Sequence, residues 1–395
     1  MTVMNKLLYN KLLSLTLFIC FILYQYGFNY HVSFGSLGLF ITIILGYKYK
    51  TSIGINLSVL IPVLILTCFT FHLIKYGESA FFTRVLRYSF TAWALYFLLN
   101  STRSILPPPE KLLLFIVCIL LFVAWYQNYV DPFAKAPNEL MALKTSYLDT
   151  DSFKEIIDSQ LGNKLRASGL YTEPSVLSLV SSCLLILTLS YSTKLKVIIT
   201  ILILCTVVLS GSLLGYIGVL GFLFLNYKNE MFFNKKVLFV FVLAIPLGLF
   251  ALTGLLEERA ADSGQMIDSS TMARVVYPFV IIFENFRNFD LLGYCGDIYN
   301  HFLYLGIYDT PGNYPGHNGL LATVQAYGIF GVLMIFLLFK RLNSSIEYFI
   351  IFLIGSQSGN FFSYEKVFLM VYMVLVYRHQ FHAKVQLIDN KLDDK

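Results

Sequence analysis

The stretch Arg166-Ala-Ser-Gly-Leu-Tyr-Thr-Glu-Pro-Ser175 marks the point where a polar segment gives way to a long apolar run. Proline is tolerated in the first turn of a helix, and a carboxylate there interacts favourably with the helix dipole. Glu173 and Pro174 therefore predict the start of a membrane helix, capped from outside. Arg166 lies shortly upstream, and we expect it to lean over the helix end toward a bound anion.

The composition is that of a polytopic membrane protein. Of the 395 residues, 57% are hydrophobic and 13% are charged, whereas soluble domains contain roughly 25% charged residues. Nearly all apolar residues fall in long windows, which leaves no room for a separate soluble domain of ordinary size, roughly 100 residues. We therefore expect residues 1–395 to form a single integral membrane domain.

The charged residues and the cysteines argue against two other classes of protein. The net charge of +6 comes from lysines and arginines that occur in ones and twos beside apolar windows, where they orient spans, so no nucleic-acid partner is predicted. Of the six cysteines, five lie inside apolar windows and Cys295 stands alone in a polar loop. This pattern indicates no disulfide framework.

The apolar windows predict an all-α protein with about twelve transmembrane helices, since a bilayer core requires roughly 20 residues per span. Single spans are predicted near residues 12–28, 32–47, 53–74, 85–100, 112–130, 174–192, 237–254 and 318–339. Two longer stretches, 197–227 and 346–377, have basic residues at both ends, so each should cross the membrane twice. Tight turns are then expected at Ser210-Gly-Ser212 and Ser356-Gln-Ser-Gly-Asn360.

The same charge asymmetry predicts that both termini are cytoplasmic. Two long connections, residues 131–173 and 255–316, then lie on the outer face, and long loops in compact proteins are usually functional or disordered. In the first loop, apolar residues at helical spacing between Phe153 and Leu165 predict a short amphipathic helix. In the second loop, the apolar and aromatic stretch from Val275 to Phe286 predicts another interfacial helix.

Four residues on the predicted outer face are candidates for chemistry: Arg166, Glu173, Arg274 and His317. A guanidinium binds two phosphate oxygens at once, so two arginines on separate loops could clamp a diphosphate and stabilise it as a leaving group. Each residue also has an ordinary explanation. Arginines at a membrane boundary neutralise lipid phosphate, a glutamate before proline begins a helix, and a histidine beside a span makes structural hydrogen bonds.

Two further groups of charged residues allow alternative interpretations. Arg84 and Arg87 are three residues apart on one face of the fourth predicted span, where they could extend a cationic pocket or could snorkel to the interface. Asp149-Thr-Asp151 could hold a divalent metal, but Asp151 serves equally well at the start of the amphipathic helix. We therefore predict no metal site and no cofactor.

The pattern Arg-x-x-Gly-Leu-Tyr-x-Glu-Pro-Ser before a membrane helix resembles the O-antigen and capsular polysaccharide polymerases of the Wzy type, within the O-antigen ligase and polymerase superfamily. Four later elements contribute to the resemblance: the Ser210-Gly-Ser212 turn, Ser269-Ser270 with Arg274, Leu291-Leu-Gly-Tyr294, and His317-Asn318 at the start of a span. The motifs cover about residues 130–340, and the topology covers the whole chain.

This resemblance implies a GT-C-like glycosyltransferase in the bacterial inner membrane, with 131–173 and 255–316 as large periplasmic loops on the active face. Arg166 and Arg274 match the two loop arginines that bind the diphosphate, and His317 matches a histidine of the ligase branch. No metal is implied. Many relatives carry an arginine just after the serine turn, where this chain has Leu213 and Leu214, so Arg84 or Arg87 could supply the missing charge.

We therefore expect the protein to transfer a growing glycan from undecaprenyl diphosphate onto another lipid-linked repeat unit, in O-antigen or capsule biosynthesis. His317 or Glu173 would accept the proton of the acceptor hydroxyl. His317 is favoured, because Glu173 is more readily explained as holding Arg166 in place. The expected partners are the undecaprenyl-diphosphate-linked oligosaccharide, the lipid bilayer and a chain-length regulator protein.

Two other functions remain as alternatives. An O-antigen ligase would use the same donor but deliver the glycan to lipid A core. A flippase or other transporter of lipid-linked oligosaccharides belongs to another class; such proteins usually place charged residues at mid-membrane and carry internal repeats. The sequence shows neither feature, which favours an enzyme.

Overall fold

Twelve α-helices and one short β-ribbon make up the part of the chain that this computed structural model describes. The described residues are 3–29, 32–48, 55–76, 82–100, 105–130, 167–171, 173–191, 193–233, 277–288, 290–294, 318–357 and 359–393. The helices are α1 Val3–Ile22, α2 Phe34–Lys48, α3 Ile55–Tyr76, α4 Phe82–Leu99, α5 Glu110–Tyr129, α6 Pro174–Leu187, α7 Thr193–Ser210, α8 Leu213–Phe233, α9 Tyr277–Arg287, α10 Gly319–Phe339, α11 Ser345–Gly355 and α12 Tyr364–Asp393. Strands β1 (Gly27–Asn29) and β2 (Val32–Ser33) pair antiparallel.

The all-α prediction is confirmed, and so are both predicted turns. Gly211 separates α7 from α8 with φ 54°, and a second turn joins α11 to α12. The predicted span at 237–254 and the predicted amphipathic helix at 153–165 lie outside the described residues. The predicted helix of the second loop is observed as α9, and its interfacial position stays a prediction. The number of membrane crossings, the sidedness of the loops and the GT-C-like character stay predictions.

The first predicted span, 12–28, is wrong at its end, because α1 stops at Ile22. The chain then turns, with Tyr26 N–H donating to the Leu23 carbonyl at 2.8 Å, and Gly27 enters β1. Glycine and asparagine are poor helix formers. The ribbon instead provides hydrogen-bond partners for the backbone of this segment, which is why an apolar window did not become one continuous helix.

The surfaces of the helices suit contact with lipid. Helices α5 and α10 are each long and apolar enough to cross a membrane. Shorter apolar helical segments accompany them at Tyr9–Ile22, Phe34–Gly46, Val59–Lys75, Pro174–Leu187, Leu213–Leu225 and Ser345–Gly355. On α5, large aromatic side chains point outward, with Phe115 60% and Phe122 61% exposed. Such apolar surface is costly in water and favourable in a bilayer.

The chain forms two compact units, each built from separate stretches. The first unit contains Met1–Gly38, Arg103–Leu255 and Tyr372–Lys395, and the second contains Leu39–Thr102 and Leu256–Val371. In the first unit α6 is the central helix, with every residue from Ser175 to Leu187 buried, and it packs on α5, α7 and α8. In the second unit α3 packs on α4, and α10 packs on α3, α9 and α11.

Small residues allow the close approach of helices around α6. The hydroxyl oxygens of Ser178 and Ser210 lie 2.5 Å apart. A Cβ placed on Gly215 would lie 2.7 Å from the Cβ of Ser178, so only glycine fits where α8 begins to cross α6. Because small residues let backbones approach and serine hydroxyls hydrogen-bond across helices in a membrane, the serine turn is part of the packing of the first unit.

Candidate functional site

The structure describes three of the six predicted site residues: Glu173, Arg84 and Arg87. The other three lie outside the described residues: Arg166, Arg274 and His317. Two of these stand directly before a described segment in the sequence, Arg166 before Ala167 and His317 before Asn318. The geometry of those neighbouring segments is therefore the closest view of the candidate site.

The segment that follows Arg166 is held by one glutamine of α5. Gln127 is 6% exposed, and its Oε1 accepts from the N–H groups of Ser168 at 3.1 Å and Gly169 at 2.8 Å. Its Nε2 donates to the Gly169 carbonyl at 2.9 Å. A single amide thus satisfies three backbone groups of a non-helical segment, which would otherwise be costly to bury.

Two tyrosines fasten the same segment to the end of α1. Tyr26 Oη donates to the Leu170 carbonyl, and Tyr171 Oη donates to the Ile22 carbonyl at 3.2 Å. Burial raises the pKa of Tyr26 to about 12 and also raises the pKa of Tyr171. Both phenols therefore stay protonated and remain hydrogen-bond donors at neutral pH.

Glycine is required in the middle of this segment. Gly169 has φ 61°, a left-handed conformation that costs other residues roughly 1–2 kcal/mol. A Cβ at this position would also lie 2.9 Å from Leu177 Cδ1 of α6. The Gly-Leu-Tyr part of the sequence motif is therefore a structural anchor, which packs against α6 and is hydrogen-bonded to α5 and to the end of α1.

Glu173 occupies the N-cap position of α6, and Pro174 is its first residue, as predicted. The carboxylate does not bond to a backbone N–H of the first turn. Instead it accepts a hydrogen bond from Ser175 Oγ at 2.9 Å, and the residue is exposed. An exposed carboxylate at a helix start could interact with a cation or a substrate hydroxyl, so the geometry keeps open both predicted roles of Glu173.

The three hydrogen bonds of Gln127 to residues 168–169 lead to a prediction for stability. Replacing Gln127 with leucine leaves three backbone groups of residues 168–169 without their partner, so we expect a loss of about 3 kcal/mol in the free energy of unfolding. The neighbouring change Asn128→Leu removes one hydrogen bond, from Nδ2 to the Leu209 carbonyl at 2.9 Å, and should cost about 1 kcal/mol. Denaturant unfolding of both variants in detergent measures the two losses in the free energy of unfolding. Equal losses would contradict the role of Gln127 as the partner of three backbone groups.

In the second unit, the arginines of α4 lie toward the end of the unit at which α10 begins. Thr91 Oγ1 of α4 donates to the Phe362 carbonyl at 2.5 Å in the α11–α12 turn, and the Gln357 carbonyl of that turn accepts from Gly319 N–H at 3.1 Å. Further along, Tyr96 Oη donates to the Met334 carbonyl of α10. Helices α4 and α10 therefore run in the same direction away from the turn.

Arg84 and Arg87 precede Thr91 on α4, so they lie toward the end of the unit where α10 begins. Arg84 is exposed and Arg87 is half-buried. The Arg87 guanidinium lies 5.9 Å from the centre of the Tyr88 ring and interacts electrostatically with Tyr364 at the start of α12. Arg87 thus has aromatic neighbours on α4 and at the start of α12, and the choice between a cationic pocket and snorkelling stays a prediction.

The first turn of α10 is capped by Asn318. Its Oδ1 accepts from the N–H groups of Leu320 at 3.1 Å and Leu321 at 3.2 Å, a good arrangement because asparagine is a favoured N-cap residue. Lys366 of α12 approaches this turn from the other side and is 5% exposed. The helix N-terminus carries a partial positive charge, and Arg84 and Arg87 lie toward the same end of the second unit.

The Leu291-Leu-Gly-Tyr294 motif docks into a kink of α10. Gly328 has φ 53° and ψ −131°, which interrupts the helix. The hydrogen bonds lost there are made with the motif instead: Ile329 N–H donates to the Leu291 carbonyl at 2.9 Å, and Tyr294 N–H donates to the Gln325 carbonyl at 3.0 Å. The segment that follows α9 is thereby fastened to α10.

Sequence reasoning missed Gln127, Tyr26 and Lys366. A polar residue within an apolar window is the signal that could have found Gln127 and Lys366, because such residues are costly in a membrane and usually have a specific partner. Within the described ranges, no group of three or more histidine, cysteine, aspartate or glutamate side chains could hold a metal ion. Asp149 and Asp151 lie outside those ranges.

Comparison with known proteins identifies the family. No curated protein and no solved structure matches the chain. A family model described as WcaD colanic acid polymerase matches residues 46–379, which span the described parts of the candidate site. The resemblance to Wzy-type polysaccharide polymerases is thereby confirmed. The chain belongs to the WcaD colanic acid polymerase family, and it is a membrane protein.

Proposed function

We propose that this polysaccharide polymerase transfers a growing glycan from undecaprenyl diphosphate onto another undecaprenyl-diphosphate-linked repeat unit, at the periplasmic face of the inner membrane. The family supports a glycosyltransferase that polymerises a polysaccharide. The lipid diphosphate donor, the lipid-linked acceptor and the periplasmic face are parts of the proposal. A chain-length regulator protein is a proposed partner.

The reaction needs no external energy source, because the donor already carries an activated glycosyl bond. The acceptor hydroxyl oxygen forms a bond to the anomeric carbon of the donor, and the bond from that carbon to the diphosphate oxygen breaks. His317 accepts the hydroxyl proton, and undecaprenyl diphosphate leaves with its electron pair. The protein contributes by positioning the two lipids and stabilising the charge that develops on the leaving group.

Arg166 and Arg274 are the proposed ligands of the diphosphate, and Arg84 and Arg87 extend the cationic site. Guanidinium groups suit this task because their donors match phosphate oxygens in pairs. Glu173 is proposed to orient Arg166, with direct proton acceptance as the alternative role. In a membrane-embedded site of low dielectric, such charge interactions are much stronger than in water.

The observation that carries the proposal is the cationic end of the second unit. There Arg84 and Arg87 lie on the part of α4 that precedes Thr91, and Thr91 Oγ1 donates to the Phe362 carbonyl of the α11–α12 turn. The same turn accepts a hydrogen bond from the N–H of Gly319 at the start of α10. Two arginines and a helix N-terminus at one end of a unit favour an anionic ligand. A diphosphate supplies the matching negative charge.

The proposal is tested by replacing the arginines one at a time with alanine in the native bacterium. The expected result for Arg166→Ala and Arg274→Ala is normal amounts of protein in the membrane but surface glycans of a single repeat unit, because the leaving group loses a stabilising donor. Arg287→Ala is the matched control, since Arg287 is exposed and pairs only with Glu284 of its own helix at 3.3 Å among the described contacts. Normal long chains from both loop variants would overturn the proposal.

The double variant Arg84→Ala, Arg87→Ala tests the extension of the site. If both arginines contact the diphosphate, we expect chains much shorter than normal at unchanged membrane levels. If they snorkel to the interface, chain length stays normal. Electrophoresis of surface glycans separates these results, and quantification of the protein in membranes excludes loss of folding as their cause.

Deletion of the gene separates the alternatives. Loss of a polymerase leaves single repeat units on the final acceptor, whereas loss of a ligase removes all of them. A transporter is excluded by a reaction in detergent, where there are no two compartments: purified protein mixed with lipid-linked repeat units from the deletion strain should produce longer lipid-linked glycans. Failure to lengthen the glycans in this mixture, with a correctly folded protein, would favour transport.

A further inference from the structure

We propose that the carboxamide of Gln325 binds a hydroxyl group of the glycan substrate, at the break in α10 beside the Leu291-Leu-Gly-Tyr294 motif. This inference rests on the proposed function. Gln325 lies in the first half of α10 and is 1% exposed. Neither its Oε1 nor its Nε2 has a hydrogen-bond partner among the described residues.

A buried carboxamide without partners is unfavourable, because it contains both donors and acceptors that water would otherwise satisfy. Other long polar side chains in this protein have their partners. Gln127 makes three hydrogen bonds to backbone groups, and Lys366 Nζ donates to the carbonyls of Gln357 at 2.6 Å and Gly359 at 2.8 Å. A methionine has a similar shape and could fill the place of Gln325 without this cost. The glutamine therefore indicates a partner that a ligand supplies.

The position of Gln325 along α10 also favours a binding role. Gly328 interrupts the helix three residues later, and a Cβ placed on Gly331 would lie 2.4 Å from the carbonyl oxygen of Thr323. In a straight α-helix residues 323 and 331 would be about 12 Å apart along the axis. Irregular backbone in a membrane helix is tolerated where it is buried in protein or lines a cavity, and broken helices form the substrate sites of many membrane proteins.

Polar and aromatic side chains of other segments lie beside this break. Tyr294 N–H donates to the Gln325 carbonyl at 3.0 Å, and the Tyr294 ring lies 4.7 Å from the ring of His72 on α3. His72 is 3% exposed. One turn further along α3, Lys75 binds Asp290 at 2.9 Å. Buried polar residues in membrane proteins are usually functional, so this part of the second unit is a suitable place for a polar ligand.

The chemistry of the carboxamide selects one part of the proposed substrate. A carboxamide donates and accepts hydrogen bonds, and so does a hydroxyl group. The undecaprenyl chain offers neither function, and a diphosphate only accepts, which would leave Oε1 of Gln325 unsatisfied. The sugars of the repeat unit present hydroxyl groups that satisfy both ends of the amide. The glycan is therefore the part of the substrate that fits Gln325.

Binding a sugar at Gln325 requires a movement of the surrounding protein, since the side chain is buried. The Leu291-Leu-Gly-Tyr294 motif contacts the break through two backbone hydrogen bonds, from Ile329 N–H to the Leu291 carbonyl at 2.9 Å and from Tyr294 N–H to the Gln325 carbonyl. Separation of this motif from α10 is the movement that the inference requires, and the motif then closes again on the bound sugar.

The stability of Gln325→Met, measured as Tm in nanodiscs without substrate, is the first test. The expected Tm equals or exceeds that of the unchanged protein, because methionine removes a buried amide that lacks partners among the described residues. Gln380→Met is the matched control and should lower Tm, since Gln380 Nε2 donates to the Leu187 carbonyl at 2.8 Å. A lower Tm for Gln325→Met would show that its amide is already satisfied in the folded protein, and would overturn the inference.

The second test measures binding of two probes: lipid-linked repeat units isolated from the deletion strain, and undecaprenyl diphosphate without sugars. For Gln325→Met we expect Kd for the repeat units to rise about tenfold, with Kd for undecaprenyl diphosphate within about twofold of normal. Gln380→Met should change neither. An unchanged Kd for the repeat units, or an equal rise for both probes, overturns the inference and leaves the proposed function intact. Failure of the unchanged protein to bind either probe overturns the proposed function and the inference with it.

Amide hydrogen exchange of the unchanged protein decides the matter if Gln325→Met does not fold. A sugar bound at the break should slow exchange in the segments 291–294 and 325–329, because the motif closes on the ligand. Repeat units should therefore slow exchange there, and undecaprenyl diphosphate alone should not. Equal exchange with the two probes would overturn the inference.

Discussion

Replacing Gly328 with alanine is expected to abolish correct folding of the second unit in most molecules, with a loss of at least about 3 kcal/mol in the free energy of unfolding. Gly328 has φ 53° and ψ −131°, a combination that residues with a side chain avoid. A Cβ there would lie 2.0 Å from the Leu291 carbonyl oxygen and 2.7 Å from Gly293 N. Both obstacles are backbone, so no rotation of a side chain can relieve them.

The matched control is Gly359→Ala. Gly359 also has a positive φ, 88°, but a Cβ there would meet nothing within 4 Å. Its replacement should therefore cost only the backbone strain, about 1 kcal/mol. Denaturant unfolding of both variants in detergent measures the two losses. If they were equal, the close docking of the Leu291–Tyr294 motif into α10 would be wrong.

The difference between these glycines explains what the sequence could predict and what it could not. The helices were predictable because a span needs a long apolar window and ends at turn-forming or charged residues, as at Pro174 and Ser210-Gly-Ser212. Gly328, in contrast, lies in the middle of an apolar window. Its role depends on Leu291 and Gly293, which reach it from a different part of the chain, and no local pattern encodes such a contact.

The candidate site was also only partly predictable from the sequence. The motif predicted where Glu173 would stand, because the preference of proline for the first helical turn is a local property. It did not predict Gln127, whose three hydrogen bonds to residues 168–169 join α5 to the last part of the first large loop. Lys366 was also missed: its charge is visible in the sequence, but its two carbonyl partners are set by the conformation of the α11–α12 turn.

Gly169 in the first unit and Gly328 in the second unit have similar structural roles. In each unit, a motif singled out in the sequence lies against an apolar helix through a glycine with positive φ, and each motif stands close in sequence to a candidate functional residue or loop. Gly169, three residues after Arg166 in the sequence, lies close to Leu177 of α6, and Gly293 and Gly328 let the Leu291–Tyr294 motif dock against α10. These glycines therefore connect the packing of the helices to the candidate site.

Replacing Gly169 with alanine is expected to cost about 2 kcal/mol in the free energy of unfolding and to shorten the polysaccharide. About half of this loss arises from the left-handed backbone, φ 61°. The remainder arises from the approach to Leu177 Cδ1, 2.9 Å from the added Cβ. Chains become shorter because the segment between Arg166 and Glu173 moves off α6 and no longer holds the two ends of the motif in place.

A double-mutant cycle with Leu177→Ala separates the two causes. Leu177 is fully buried, so its truncation alone should cost about 2–5 kcal/mol, but it also removes the atoms that the new methyl group would meet. In that background Gly169→Ala should cost only the backbone strain, about 1 kcal/mol, which gives a coupling of about 1 kcal/mol. If Gly169→Ala lowers the free energy of unfolding equally in both backgrounds, the Leu177 side chain moves aside without cost. Backbone strain alone would then explain why glycine is needed at this position. The length of the surface glycans is measured in the same variants. Chains that shorten in proportion to the loss of folded protein indicate an effect on stability alone, and chains that shorten more indicate that polymerisation depends on the position of this segment.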